Sequence, residues 1–191
     1  MSQNDSHSTL SVAEEERLRG RLTKVIPIIS YPHLTLRKRT SWIAVPAPST
    51  DHFDDATIVR IADVLKARGE QYFSALLLEP LNHTPTGLVF PASIEGLENF
   101  NNDCALFSYI LFSEAFDWFI VCTKEDYYLV IGDEPLVSAV LGMVPQEAYK
   151  QFGSFAQSMA ELKQSLKLLQ DVLSKTEGVY ADAVEGDVIE I

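Results

Sequence analysis

Two apolar runs joined by three charged residues, in the stretch FDWFIVCTKEDYYLVIGDEP at positions 116–135, constrain the fold more than any other feature. The connector KED is too short for anything except an antiparallel hairpin. Strand side chains alternate between faces, so Trp118 and Ile120 point to one face, and Phe119 and Val121 to the other. All four are apolar. Both faces of this hairpin therefore need a cover, which could be helices of the chain itself, a partner subunit or an apolar ligand.

Other apolar segments extend the hairpin into a sheet. Five segments have the composition of β-strands, at 72–78, 87–90, 105–112, 117–123 and 127–132. The last three are separated only by SEA and KED, so they predict a three-strand meander. A mixed segment at 34–45 predicts one strand or a short irregular pair, closed by Pro46 and Pro48. The expected fold is α+β, an antiparallel sheet of about five strands with a C-terminal meander and helices packed on it.

Helices are predicted where a capping residue precedes an apolar repeat. Ser11, Asp54 and Ser93 each stand before a segment with apolar residues at helical spacing. Pro135 can begin a further short helix that Gly142 ends. These helices are the chain's own candidates to cover the sheet.

The last helix is indicated by a regular heptad pattern between 143 and 176. Apolar residues follow one another at alternating steps of four and three, which predicts one long helix with a continuous apolar seam. The seam consists of Ala148, Phe152, Phe155, Met159, Leu162, Leu166, Leu169 and Leu173. Its flanking positions carry few charges, so two alternatives remain. The seam pairs with a second copy of the chain, giving a homodimer, or it packs on the chain's own body.

The ends of the chain differ from its middle. Residues 1–10 are small and polar and are predicted to be disordered, residues 11–142 form the α+β domain, and the acidic segment 177–191 is predicted to be a flexible tail. The start lacks the basic and apolar regions of a signal peptide, and no apolar run has the roughly 20 residues of a membrane-spanning helix. We expect a cytoplasmic protein with no membrane partner.

The order of these elements is similar to that of antiparallel α+β scaffolds of the PAS, GAF and profilin-like kind. The similarity concerns element order and implies a fold rather than an activity. Such a scaffold could hold a small apolar or aromatic ligand between the meander and its helices. The candidate lining residues are Phe100, Tyr109, Trp118 and Tyr128.

Charge is distributed unevenly along the chain, whose net charge is −12. Residues 51–140 carry 15 acidic and four basic side chains, whereas residues 1–50 carry seven basic and four acidic ones. The acidic body would repel nucleic acid and attract a basic protein. Because the basic residues lie between 17 and 39, we expect them to pair internally with the acidic body.

Sequence motifs for catalysis are absent. The chain has no phosphate-binding loop, dinucleotide fingerprint, zincin motif or nucleophile elbow, so no cofactor or metal is predicted. The cluster DHFDD at 51–55 is better explained as a helix start than as a metal site. His83 lies in a loop without an orienting partner, and Cys104 would be a nucleophile only if His83 or His33 approached it. Cys104 and Cys122 are predicted to be buried free thiols.

These observations predict a non-enzymatic regulatory or adaptor protein that acts through protein–protein interaction. An immunity protein or antitoxin, with an acidic surface for a basic partner, is one version. The alternative is a small-molecule-binding, sensor-like domain that uses the four lining residues. An enzyme without a familiar motif is a third hypothesis.

Overall fold

The computed structural model describes residues 7–27, 29–30, 33–49, 52–78, 86–159 and 163–190. The elements, in chain order, are β1 (Ser8–Thr9), α1 (Val12–Leu22), β2 (Ile29–Ser30), β3 (His33–Arg37), β4 (Trp42–Pro48), α2 (Asp55–Ala67), β5 (Tyr72–Leu77), β6 (Gly87–Pro91), α3 (Ile94–Cys104), β7 (Tyr109–Phe112), β8 (Phe119–Cys122), β9 (Tyr127–Asp133), α4 (Glu134–Leu141), α5 (Pro145–Ser158), α6 (Lys163–Ser174), a π-helical segment (Lys175–Tyr180) and β10 (Val188–Glu190). Among the described residues, no helix has the length and apolar character needed to cross a bilayer.

The main sheet has seven strands in the order β1-β6-β5-β7-β8-β9-β4, and every described ladder in it is antiparallel. A small second sheet has the order β10-β3-β2. The predicted α+β class is therefore confirmed, with two more strands in the main sheet than expected. β7, β8 and β9 pair in chain order, but β4 lies outside β9 and another strand follows later in the chain. A C-terminal three-strand meander is thus not confirmed.

Strand β4 corrects the prediction that Pro46 and Pro48 close the strand before them. The strand continues through both prolines, which stand opposite Leu129 and Tyr127 of β9. Proline lacks an N–H to donate, so within a sheet it is tolerated mainly on an edge strand. β4 is an edge of the main sheet, which explains why the prolines do not end it.

The chain itself covers both faces of the central hairpin. Trp118 and Ile120 belong to an apolar core formed with α2, α3 and α4. Phe119 and Val121 belong to a second core, on the opposite face, with α1 and with Tyr180 of the π-helical segment. Neither face therefore requires a ligand or a partner to exclude water from these side chains.

The predicted single helix over 143–176 is not confirmed, because α5 ends at Ser158 and α6 begins at Lys163. Early residues of α5 lie beside late residues of α6. The Tyr149 hydroxyl is 3.4 Å from the carbonyl oxygen of Thr176. A Cβ atom built on Gly153 would lie 3.4 Å from Leu173. The two helices thus form an antiparallel hairpin.

Both ends of the described chain are incorporated into sheets. In the segment predicted to be a flexible tail, β10 pairs with β3, and Tyr180 and Ile189 are buried in the α1-side core. At the other end, β1 pairs with β6. Residues 1–6 of the predicted disordered start lie outside the described residues.

Candidate functional site

The four residues predicted to line a ligand site all lie in the core beneath α2, α3 and α4. Phe100 and Tyr109 are in edge-to-face contact, with ring centroids 5.8 Å apart. Tyr128 packs edge-to-face on Phe53 at 5.4 Å. Trp118 is 2% exposed. Of the four, Tyr128 lines a described cavity, so the structure does not bring the set together around one space.

That cavity has a volume of about 250 Å³ and lies where the end of β4 meets the start of α2. Its lining comes from four separate parts of the chain: Pro48, Ser49, His52, Asp54, Thr57, Tyr128 and Phe155. We call it the His52 cavity. Its walls combine an imidazole, a carboxylate and a phenol with two apolar side chains. Such a mixture can hydrogen-bond and enclose a small polar molecule.

His52 is held in the cavity wall by contacts on both its ring and its backbone. The ring is stacked on Phe100, with centroids 5.4 Å apart, and Nε2 lies 3.0 Å from the carbonyl oxygen of Cys104. Because a carbonyl can only accept, Nε2 is the donor, and Nδ1 of the neutral ring is an acceptor. The Ser49 hydroxyl donates to the His52 carbonyl at 2.6 Å. These contacts hold the backbone of His52 at a φ of 63°, in the left-handed region.

The opposite wall is polar because the start of α2 is capped there, as predicted. Asp54 accepts a hydrogen bond of 2.7 Å from the backbone N–H of Thr57. Hydrogen bonds from Thr57 lower the pKa of Asp54, so this carboxylate is ionised at neutral pH. Burial raises the pKa of Tyr128, so its phenol keeps its proton. Arg60 donates to the Thr57 hydroxyl at 2.6 Å and so adds a cation beside the carboxylate.

The other predicted chemical groups do not form a catalytic arrangement. Cys104 is fully buried, and burial raises the pKa of its thiol to about 12, so it is not a thiolate at neutral pH. Burial likewise raises the pKa of Cys122. His83, the side chain of His33 and Asp51 lie outside the described residues. A nucleophilic role for Cys104 is therefore disfavoured by its own environment.

The seam predicted to mediate dimerisation is partly buried inside the hairpin of α5 and α6. Phe152 and Leu169 are fully buried there, together with Tyr127 of β9. Phe155, Met159 and Leu173 pack around them. Leu162 and the side chain of Leu166 lie outside the described residues. Pairing of the seam with a second chain stays a prediction, and it would require Phe152 and Leu169 to leave their present contacts.

Helix α3 presents an acidic and partly apolar surface to solvent. Glu95, Glu98 and Asn102 are exposed at helical spacing, and α3 carries no basic residue. Apolar side chains lie at its two ends, with Ile94 46% exposed, Leu106 83% exposed and Phe107 40% exposed. We call these six residues the α3 surface. Sequence reasoning missed the last two, because it assigned them to a strand at 105–112 that in fact begins at Tyr109.

No protein-family model, curated protein or solved structure matches this chain. A fold alone would not establish an activity, since one scaffold supports many functions. What the protein does must therefore be inferred from the groups that the α3 surface and the His52 cavity present.

Basic residues 17–39 lie on the face of the sheet opposite α3, where much of their capacity is used within the chain. The Arg21 guanidinium donates to the Glu114 carbonyl at 2.7 Å, and the Lys38 ammonium donates to the Trp42 carbonyl at 2.8 Å. Arg39 lies over the Trp42 ring at 4.6 Å. The predicted internal pairing is thus present, although its acceptors here are carbonyls and rings rather than the carboxylates of the acidic body.

Glu15 is a buried carboxylate that fixes α1 to the start of β6. It accepts hydrogen bonds of 2.8 Å from the backbone N–H groups of Thr86 and Gly87 and from the Arg19 guanidinium. Burial raises the pKa of Glu15, but the hydrogen bonds from Thr86 and Arg19 outweigh this effect and hold it below its ordinary value. The ionised form is therefore the one that stabilises the fold.

We expect Glu15→Gln to lower the free energy of unfolding at neutral pH by about 1.5–3 kcal/mol, because hydrogen bonds to a charged acceptor are weakened or lost. Since the folded pKa lies below the unfolded one, this stabilisation is present above the unfolded value of about 4.3 and is lost as pH falls through the folded value. Urea unfolding across acidic pH would measure it. Glu16→Gln, at the exposed neighbouring position, is the control. An equal effect of the two substitutions would contradict the role of Glu15.

Proposed function

We propose that this protein is a non-enzymatic regulatory or adaptor protein that binds a basic protein partner through the α3 surface. An immunity protein or antitoxin, which neutralises a basic enzyme, is the version that best fits an acidic face of this kind. The proposal rests on one observation above all. The acidic side chains of α3 face solvent beside exposed apolar groups, while the basic residues of the chain are engaged on the opposite face.

The composition of the α3 surface supports a protein as its ligand. Exposed apolar residues beside a polar rim are characteristic of interaction sites, and Leu106 is the most exposed large apolar side chain among the described residues. Exposed carboxylates beside them would steer a cationic partner during encounter and select against an acidic one. The neighbouring helix α2 adds exposed Asp55 and Asp63 to the negative potential.

A charge-reversal experiment tests this proposal. We expect Glu95→Lys/Glu98→Lys to weaken binding of a fluorescein-labelled peptide of alternating arginine and leucine residues by about tenfold, because two attractive charges become repulsive. Fluorescence anisotropy would measure the dissociation constant. Binding should also weaken as ionic strength rises, because salt screens exposed charges.

The matched control is Asp171→Lys/Asp182→Lys, which changes the net charge equally at exposed positions of the C-terminal region. We expect this variant to bind the peptide almost as tightly as the wild-type chain. Equal weakening by both double variants would mean that only net charge matters, and the α3 surface would not be the binding site.

The His52 cavity favours a second candidate function, a small-molecule-binding, sensor-like domain. Its volume of about 250 Å³ suits a small ligand, and Tyr128 is one of the residues predicted to line such a site. A low-mass ligand retained in native mass spectra of the purified chain, and absent from a His52→Ala variant that still folds, would support this function over the first.

A further inference from the structure

A groove of about 370 Å³ lies on the α1 side of the main sheet, between the start of α1 and strands β5 and β6. Its apolar lining includes Leu10 and Leu18, which are buried, and Val89, which is half-buried. This lining could pack against an aliphatic chain. Tyr72 stands at the groove with 59% of its surface exposed.

The charged groups around the groove are mainly acidic. Glu14, Glu70 and Glu114 contribute carboxylates, and Arg17 is the basic residue of the lining. Arg17 lies 3.5 Å from Glu114 and so offsets that carboxylate. The hydroxyl of Ser11 lies 2.5 Å from Glu14, and this hydrogen bond lowers the pKa of Glu14, which keeps it ionised. The groove therefore retains a negative potential that complements a cation.

The groove is continuous with the α3 surface across the end of the sheet. The carbonyl of Gln71, in the groove lining, accepts a hydrogen bond of 2.9 Å from the backbone N–H of Ala92. Ala92 lies two residues before Ile94, the first residue of the α3 surface. A partner bound to α3 would thus have the groove within reach of a long side chain.

We propose that this groove receives an arginine side chain of the basic partner. The aliphatic stem would pack on Leu10 and Val89, and the guanidinium would lie against the Tyr72 ring, within reach of the Glu70 carboxylate. Arginine fits better than lysine because its planar guanidinium stacks on an aromatic ring and can bind a carboxylate with two parallel hydrogen bonds. This assignment rests on the proposed function, since it names a contact made by the same partner.

The test uses the full chain and two labelled peptides, one of alternating arginine and leucine and the other of alternating lysine and leucine. We expect Tyr72→Ala to weaken binding of the arginine peptide by about fivefold, in the range of an exposed cation–π contact, and to affect the lysine peptide less. Glu70→Gln, which keeps the side-chain shape, should also weaken the arginine peptide. Circular dichroism would show that both variants remain folded.

The outcomes separate the groove from the proposed function. Weaker arginine-peptide binding in Tyr72→Ala and in Glu95→Lys/Glu98→Lys supports both. Weaker binding in the α3 variant alone overturns the groove assignment and leaves the proposed function standing. Weaker binding in Tyr72→Ala alone supports the groove and contradicts the role of α3, and unchanged binding in every variant overturns both.

Discussion

Replacing Phe100 with alanine will lower the free energy of unfolding by about 3–5 kcal/mol, the range for large aromatic side chains removed from well-packed cores. Phe100 is fully buried, and its ring contacts those of His52, Phe53, Phe73, Phe90 and Tyr109. Alanine would leave a cavity at the centre of these five rings. For a chain of this size we expect Tm to fall by about 6–20 °C.

The matched control is Phe107→Ala, three residues after the end of α3. Phe107 is 40% exposed, so its removal leaves no internal cavity, and we expect a much smaller loss of stability. Calorimetry on both variants would measure the difference. Similar losses for the two phenylalanines would contradict the placement of Phe100 at the centre of the α3-side core.

Gly96→Ala will destabilise the protein by about 3 kcal/mol, at the upper end of the range for overpacking. Gly96 lies in the first turn of α3, where the helix passes close to the end of β6. A Cβ atom there would lie 2.0 Å from the carbonyl oxygen of Pro91 and 2.9 Å from its carbonyl carbon. Both are backbone atoms, so the helix and the strand would have to separate.

Gly20→Ala gives the opposite expected sign and serves as the control. Gly20 lies within α1, and an added Cβ would meet no atom within 4 Å. Alanine is favoured over glycine in a helix by about 1 kcal/mol, so this substitution should raise stability. Urea unfolding would measure both variants. A stabilising Gly96→Ala would contradict the close approach of α3 to β6.

Local patterns predicted the elements whose stability comes from their own apolar faces. Strands β8 and β9, the capped helices α1, α2 and α3, and the short helix α4 appear where periodicity and capping residues placed them. Strand β1 could not be predicted in this way, because its two residues, Ser8 and Thr9, are polar. They form a strand only through their ladder with Val89 and Leu88. Such long-range pairing leaves no periodic signal in a short segment.

The heptad pattern shows a different limit of sequence reasoning. A spacing of four and three identifies one apolar face on each helix, and that face is the same whether the helix continues or turns back. In the structure, Phe152 of α5 and Leu169 of α6 are buried in one cluster. The pattern therefore predicted helical segments and an apolar seam, but it contained no information on where the helix would end.

The candidate sites were predictable only in part. The capping role of Asp54 followed from its position before an apolar repeat, whereas the burial of His52 depends on Phe100 and on the Cys104 carbonyl, far along the chain. The exposed pair Leu106 and Phe107 looked like the start of a strand because apolar composition alone does not distinguish a strand from an exposed turn. Tertiary contacts decide these cases.

The most direct test of binding through the α3 surface is to follow amide chemical shifts of the labelled protein as the arginine–leucine peptide is added. We expect the largest changes between residues 94 and 107, with further changes at 70–72, and we expect them to diminish as salt is raised. Changes confined to the His52 cavity, or to the hairpin of α5 and α6, would contradict binding through α3.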